Sequence, residues 1–173
     1  MDIDLEHPEN ITIFVDGSCY PNPNGRGGWA FHVRFREGTA TRYGFAGGAT
    51  NNQMEIMAIV RALEFVPASP NHTRPLVIAS DSAYAISALT EWHVRWAADG
   101  WKTSNGSPVK NRKLVKRGVR LIEHHRSFRE VHFVKVKGHS GIRRNERVDA
   151  LANHARKTGQ HKWSEEDDVR NWL

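Results

Sequence analysis

Four acidic residues of this chain stand where a carboxylate needs an explanation. Asp16 follows the apolar run Ile13-Phe14-Val15, and Asp81 follows "LVIAS". Glu55 lies among apolar neighbours near the start of a helical stretch, and Asp149 sits between Val148 and Ala150. A carboxylate carried into apolar surroundings costs several kcal/mol unless it is paired or binds a metal. Each acid has a plain local explanation. Asp16 suits a turn before Gly17, Asp81 suits a helix cap, Glu55 suits the positive end of a helix, and Asp149 suits an ion pair with Arg147 or Lys137. Gathered at one place they would repel one another unless cations intervened. All-oxygen ligands select hard ions, so Mg²⁺ is the natural candidate, with Mn²⁺ able to substitute. Two such ions about 4 Å apart activate water and stabilise the leaving oxygen of a phosphodiester.

The charge map agrees with a polyanionic partner. The 173 residues carry a net charge of +6, unevenly spread. Residues 1–10 hold four acids and no Lys or Arg, whereas residues 11–159 hold 23 bases against 11 acids. A basic body around an acidic spot is what a nuclease needs, although a solvated basic surface is the plainer reading. No apolar run approaches the ~20 residues of a membrane span. "MDIDLEHPEN" has no apolar core, and Cys19 is the one cysteine, so a reducing cytoplasm is the expected compartment. Ten histidines and a single cysteine supply no zinc ligand set.

The elements that must position these acids follow from periodicity. Residues 11–15 read as a buried strand ending at Asp16. "GGWAFHVRF", 27–35, alternates as a half-buried strand, and "TATRYGFAGG", 39–48, completes a meander. Residues 50–66 read as a helix capped by Thr50 or Asn51, with an apolar stripe through Met54, Met57, Ile59, Val60 and Leu63, and stopped by Pro67. A second buried strand spans 75–81. One or two short helices follow over 82–100, then a basic amphipathic helix over 109–127, a strand over 130–138 and a last helix over 144–159. The order β-β-β-α-β-α-β-α is that of a mixed α/β layer fold. In such folds strand ends gather at one crevice, which brings Asp16 and Asp81 together if their strands are neighbours.

Five segments, "VDGSCYPNPNGRGGWAF", "TNNQMEIMAIVRALE", "IASDSAYAI", "WHVRWAADGWKTSNGSPVKN" and "VKGHSGIRRNERVDALAN", occur in that order. Together they resemble type 1 ribonuclease H, over residues 11–157. The resemblance implies a ribonuclease H-like three-layer α/β fold, a five-stranded mixed sheet flanked by helices. It implies two Mg²⁺ ions and hydrolysis of the RNA strand of RNA–DNA hybrids, giving 5′-phosphate and 3′-hydroxyl ends. Asp16, Glu55, Asp81 and Asp149 match the family's metal-binding and catalytic acids. His139, between Gly138 and Gly141, matches its mobile-loop histidine, which assists proton transfer or product release. On the residues alone His139 is one surface histidine among ten. Asn22, Asn52 and Gln53 match residues that contact the RNA strand, and only RNA offers the 2′-hydroxyl; Asn24 and Asn51 suit turn and cap positions. Trp92, Trp96 and Trp101 match the family's basic handle. Arg95, Lys102, Lys110, Arg112, Lys113, Lys116 and Arg117 are expected to meet phosphates. Trp92 and Trp96, four apart, also suit one structural helix face. Thr50 and Asn111 match residues of a DNA phosphate pocket.

Two departures stand out. Gly48 occupies the place where some relatives carry an arginine, which weakens the expected phosphate pocket. Ala97, Ala98 and Asp99 stand where close relatives carry more lysine, leaving the handle tip less basic. Residues 1–10 form an acidic extension, and residues 158–173, with Trp163, Trp172 and Leu173, read as a C-terminal tail, free or docked. No exposed apolar helix asks for a second copy, so a monomer is expected. The competing readings are a DNA nuclease or strand-transfer domain of related fold, and a non-catalytic nucleic-acid-binding module. The asparagine–glutamine run before Glu55 argues against the first, and the complete set of acids against the second.

Overall fold

The computed structural model of the protein describes residues 2–138 and 141–162. Strands β1 (Ile11–Tyr20), β2 (Gly25–Arg34) and β3 (Thr39–Ala49) form an antiparallel meander. Strands β4 (Leu76–Ser80) and β5 (Val131–Lys135) join parallel on the other side of β1, giving the order β3-β2-β1-β4-β5. Helix α1 (Asn51–Phe65) links the meander to β4. Between β4 and β5 run α2 (Ala83–Ser87), a π-helical turn (Ala88–Trp92), α3 (His93–Ala98) and α4 (Arg112–Arg126); α5 (Arg143–Thr158) closes the chain of elements.

Side-chain alternation along β1 sorts the two cores. Ile13 and Val15 pack with Ile59, Leu63 and Val115 from α1 and α4. Phe14, one residue out of phase, packs on the opposite face with Val148 and Ala152 of α5. Each large apolar side chain so buried contributes about 1.5–3 kcal/mol. Because both faces are covered, β2 is not half-buried as its alternation suggests: Ala30 and His32 are buried alongside Phe31 and Val33.

The first strand also departs from its expected end. It does not stop at Asp16 but runs to Tyr20, because its ladder with β2 continues through Asp16↔Ala30. Its parallel pairing with β4 does stop, at Phe14↔Ala79. Asp16 is therefore the point at which one side of β1 becomes open while the other stays paired, and Asp81 emerges from β4 just past that point.

The helix ends follow ordinary capping chemistry. Thr50 caps α1 in a reciprocal box: its hydroxyl accepts from the Gln53 amide and the Gln53 side chain accepts from the Thr50 amide. Ser82, not Asp81, caps α2 by accepting from the Ala85 amide. The basic helix starts at Arg112 rather than 109, since Asn111 takes a left-handed conformation (φ 61°) and Lys102 bridges to Pro108. Gly159, also left-handed, ends α5. The N-terminal segment lies against the body. Leu5 joins the α5-side core, and its carbonyl accepts from Thr12 Oγ1 and from Arg34.

Candidate active site

Asp16, Glu55 and Asp81 each offer a carboxylate oxygen within 4.8 Å of the others. Three different elements deliver them. Asp16 comes from β1 at the place where β4 falls away, Asp81 from the residue after β4, and Glu55 from the first turns of α1. Gly17 permits this approach: a Cβ there would stand 2.3 Å from the Glu55 nitrogen and 2.3 Å from the Met54 carbonyl carbon. Asp149 enters from α5, on the face of β1 that Asp16 shares with Phe14. Its Oδ1 accepts from Asn153 Nδ2 at 3.3 Å, and the Asn153 amide oxygen in turn accepts from Ser18 Oγ at 2.9 Å. Gly138 closes the opposite side, since a Cβ there would stand 2.8 Å from Asp81 Oδ2.

The electrostatics of this group favour a proton or a cation among the carboxylates. Asp16 is pushed up to about 8, first by burial and then by the charges of Asp81 and Asp149. Glu55 is raised well above the ordinary carboxylate range by burial and by Asp16 and Asp81. Its Oε2 is buried and has no hydrogen-bond partner among the described residues. A buried carboxylate oxygen without a donor, facing two further carboxylates, fits an all-oxygen site for a hard divalent ion. The residues present therefore suit Mg²⁺ or Mn²⁺, with Asp16, Glu55 and Asp81 as first candidates to hold it and Asp149 beside Asp16.

The residues matched to substrate contacts lie around the same corner of the fold. Asn22 Oδ1 accepts from the Asn51 amide at 3.1 Å, and Asn51 Oδ1 accepts from the Cys19 amide at 2.6 Å. Asn51 thus ties the loop after β1 to the start of α1, a positioning role that sequence reading confined to capping. Asn52 is exposed, while Gln53 is committed to the Thr50 capping box. Asn24 holds a left-handed turn (φ 73°). A cavity of about 550 Å³ runs between the end of β3 and the start of α4, lined by Gly48, Gln53, Asn111 and Lys113 among others. Gly48 (φ 60°) faces open space there, so nothing fills the place of the missing arginine.

The tryptophans form a continuous aromatic column. Tyr84 to Trp92, Trp92 to Trp96 and Trp96 to Trp101 are 5.7, 5.8 and 6.3 Å apart. Trp96 and Trp101 pack on the main core, and Trp92 stays 41% exposed. Lys116 Nζ stands 4.8 Å over the Trp101 ring. The structural reading of these residues holds, since the column packs on the core, and its outer end at Trp92 faces solvent. Arg117 differs from expectation, because it is ion-paired with Glu64 of α1, which also takes Arg61. Arg95 pairs with Asp99 at 3.7 Å. Lys102, Lys110, Arg112 and Lys113 have no acidic partner among the described residues. His139 and the far tail, including Trp163, Trp172 and Leu173, lie outside the described residues.

The ribonuclease H family model matches residues 8–157. The chain is 40% identical over 147 residues to a ribonuclease H of Novosphingobium aromaticivorans, covering 85% of this chain and 96% of the relative. It is 41% identical over 145 residues to a ribonuclease HI of Caulobacter vibrioides, covering 83% and 90%. Among solved structures, LC9-RNase H1, a type 1 RNase H with the type 2 active-site motif, superposes with a TM-score of 0.69 at 23% identity, over 99% of this chain and 82% of the other.

Proposed function

The chain belongs to the ribonuclease H family, and on that premise we propose that it is an endoribonuclease that hydrolyses the RNA strand of RNA–DNA hybrids. The products would carry 5′-phosphate and 3′-hydroxyl ends. The observation that carries this reading is the carboxylate group built on Asp16, Glu55 and Asp81, with the donor-free Glu55 Oε2 inside it. Two Mg²⁺ ions, or Mn²⁺ in their place, bound by these acids and Asp149 would supply positive charge at the scissile phosphate and a water of lowered pKa.

The chain's own residues do the remaining work. The close approach of α1 to β1 at Gly17 brings the Glu55 carboxylate to that of Asp16. Asn153 orients Asp149 from one turn along α5. Asn22, Asn52 and Gln53, the last through the side-chain nitrogen that its capping box leaves over, face the RNA strand and test for its 2′-hydroxyl. His139, whose ordinary pKa lies near neutrality, moves a proton to or from the departing oxygen. Thr50 and Asn111 hold a DNA phosphate, while Trp92, Trp96, Trp101, Lys102 and Lys110 follow the DNA backbone by stacking and charge. We assign catalysis to residues 11–157, with 1–10 as an acidic extension and 158–173 as a tail, in a cytoplasmic monomer.

The test uses a hybrid labelled separately on its RNA and DNA strands, with Mg²⁺ and again with EDTA. Cleavage of RNA alone, lost with EDTA, is expected. Cleavage of duplex DNA would assign the chain to DNA hydrolysis or strand transfer instead, and binding without cleavage in either metal would make it a binding module.

A further inference from the structure

A second cationic site lies away from the carboxylates. A cavity of about 720 Å³ opens between the first turns of α5 and the lower ends of β2 and β3. His32, Thr39, Arg143, Arg144 and Arg147 line it, and Glu6 of the N-terminal segment reaches in from one side. His32 pairs with Phe14, two residues back along β1 from Asp16, a distance of about 7 Å at strand spacing. The cavity is thus on the α5 side of the sheet but displaced from the acids towards β3.

The chemistry of this cavity is that of an anion site. Arg144 is ion-paired with Glu6, which also stands 4.0 Å from Arg34. Arg143 and Arg147 have no acidic partner among the described residues. His32 is only 5% exposed. Its Nδ1 is engaged with Thr41 Oγ1 at 2.7 Å, and no described group bonds its Nε2. Burial, then the charges of Arg147 and Arg144, lowers its pKa to about 4, so the ring is neutral at pH 7. No side chain caps the start of α5 at Ile142. A nearly buried neutral imidazole with one nitrogen unclaimed stands among three guanidinium groups, of which only Arg144 has an acidic partner among the described residues. Guanidinium forks bind carboxylate and phosphate alike, and a phosphate brings more oxygens and more charge than the one Glu6 carboxylate does.

We propose that this cavity binds a phosphate group, free or at the end of an oligonucleotide, and that Glu6 is its resident competitor. The single Glu6 carboxylate satisfies Arg144 and leaves Arg143 and Arg147 for the incoming anion. This proposal does not rest on the hydrolytic reading, because it uses none of the four acids.

The test follows the His32 ring carbon–proton signal of the full chain by NMR. Inorganic pyrophosphate is titrated at constant ionic strength in EDTA, then 5′-phosphorylated and 5′-hydroxyl RNA trinucleotides. Saturable movement of the His32 signal is expected. Arg147→Ala should weaken binding about tenfold, the scale of one charge-assisted hydrogen bond, and Glu6→Gln should tighten it. Arg143→Ala replaces Arg147→Ala if the latter does not give a folded spectrum. Response to pyrophosphate alone supports the site with free phosphate as its source. Response to the 5′-phosphorylated but not the 5′-hydroxyl trinucleotide supports it with an oligonucleotide end as the source. A His32 signal that stays still, that moves without saturating, or that saturates equally in wild type and the folded arginine variant overturns the proposal.

Discussion

The backbone nitrogen of Glu55 lies 2.3 Å from where a Cβ on Gly17 would stand. This contact lets α1 sit directly on β1, so a carboxylate from a helix meets carboxylates from two strands. Gly17→Ala cannot be relieved by a side-chain rotation, because the opposing atoms are backbone. Overpacking of this kind costs about 1–3 kcal/mol, and the helix must move away from the strand to accommodate it. Urea denaturation should show the lost stability, and hydrolysis of hybrid should fall by more than stability alone explains. A variant with wild-type kcat would mean that Glu55 does not need its present distance from Asp16.

Crowding of acids should appear as stored repulsion in the metal-free protein. Asp16 is pushed up to about 8 by burial and by its acidic neighbours. A carboxyl raised on folding favours the native state below its unfolded pKa and loses that contribution as pH rises through the folded value. At pH 8 in EDTA, Asp16→Asn should therefore melt higher than wild type, and in Mg²⁺ it should cleave hybrid poorly or not at all. Added Mg²⁺ should raise the melting temperature of wild type more than that of the variant. An unchanged or lower melting temperature for Asp16→Asn in EDTA would contradict the crowding.

Much of the site was legible because its acids break the apolar pattern around them. Asp16 and Asp81 stand at the ends of apolar runs, and that mismatch marks a residue kept for chemistry. The length of β1 was not legible, because Asp16 to Tyr20 are held in a strand by pairing with β2 and not by their own composition. The roles of Asn51 and Asn153 were hidden for a related reason. Each works through a partner distant in sequence, Cys19 and Ser18, more than 30 and 130 positions away. Burial of His32 likewise depends on α5 covering the second face of the sheet. Alternation reports that a strand has two faces, not that both are covered.

A buried histidine sets a second pH response with the opposite sign. His125 is 1% exposed; its Nε2 donates to the Leu63 carbonyl at 2.9 Å, and its Nδ1 has no partner among the described residues. Burial lowers its pKa from 6.5 to about 4. The unfolded chain then binds a proton that the native ring refuses, so this residue's contribution to stability rises with pH between about 4 and 6.5 and is lost on acidification. The limit is about 3 kcal/mol from the size of the shift. The difference in unfolding free energy between wild type and His125→Gln, measured at pH 4.5 and 7, isolates it from the carboxylates. The wild-type advantage should be larger at pH 7; an advantage independent of pH would mean that the imidazole is charged in the native state or partly exposed.

The basic residues near the handle divide into two kinds, and salt dependence should separate them. Lys102 and Lys110 have no acidic partner among the described residues, whereas Arg117 is held by Glu64. A lysine that neutralises a phosphate releases a counterion, so its removal lowers the slope of log Kd against log salt by about one. Lys102→Ala and Lys110→Ala, assayed for hybrid binding with Ca²⁺ in place of Mg²⁺, should each show that reduction. Arg117→Ala should instead leave the slope near wild type and cost about 1 kcal/mol of stability, since it frees Glu64 from one of its two guanidinium partners. Asp99, next to Arg95 at 3.7 Å, offsets charge at the same end of the molecule. Asp99→Lys should therefore steepen the slope beyond wild type. If Asp99→Lys left the slope unchanged while Lys102→Ala reduced it, the hybrid would follow α4 and the Lys102 turn without reaching the end of α3.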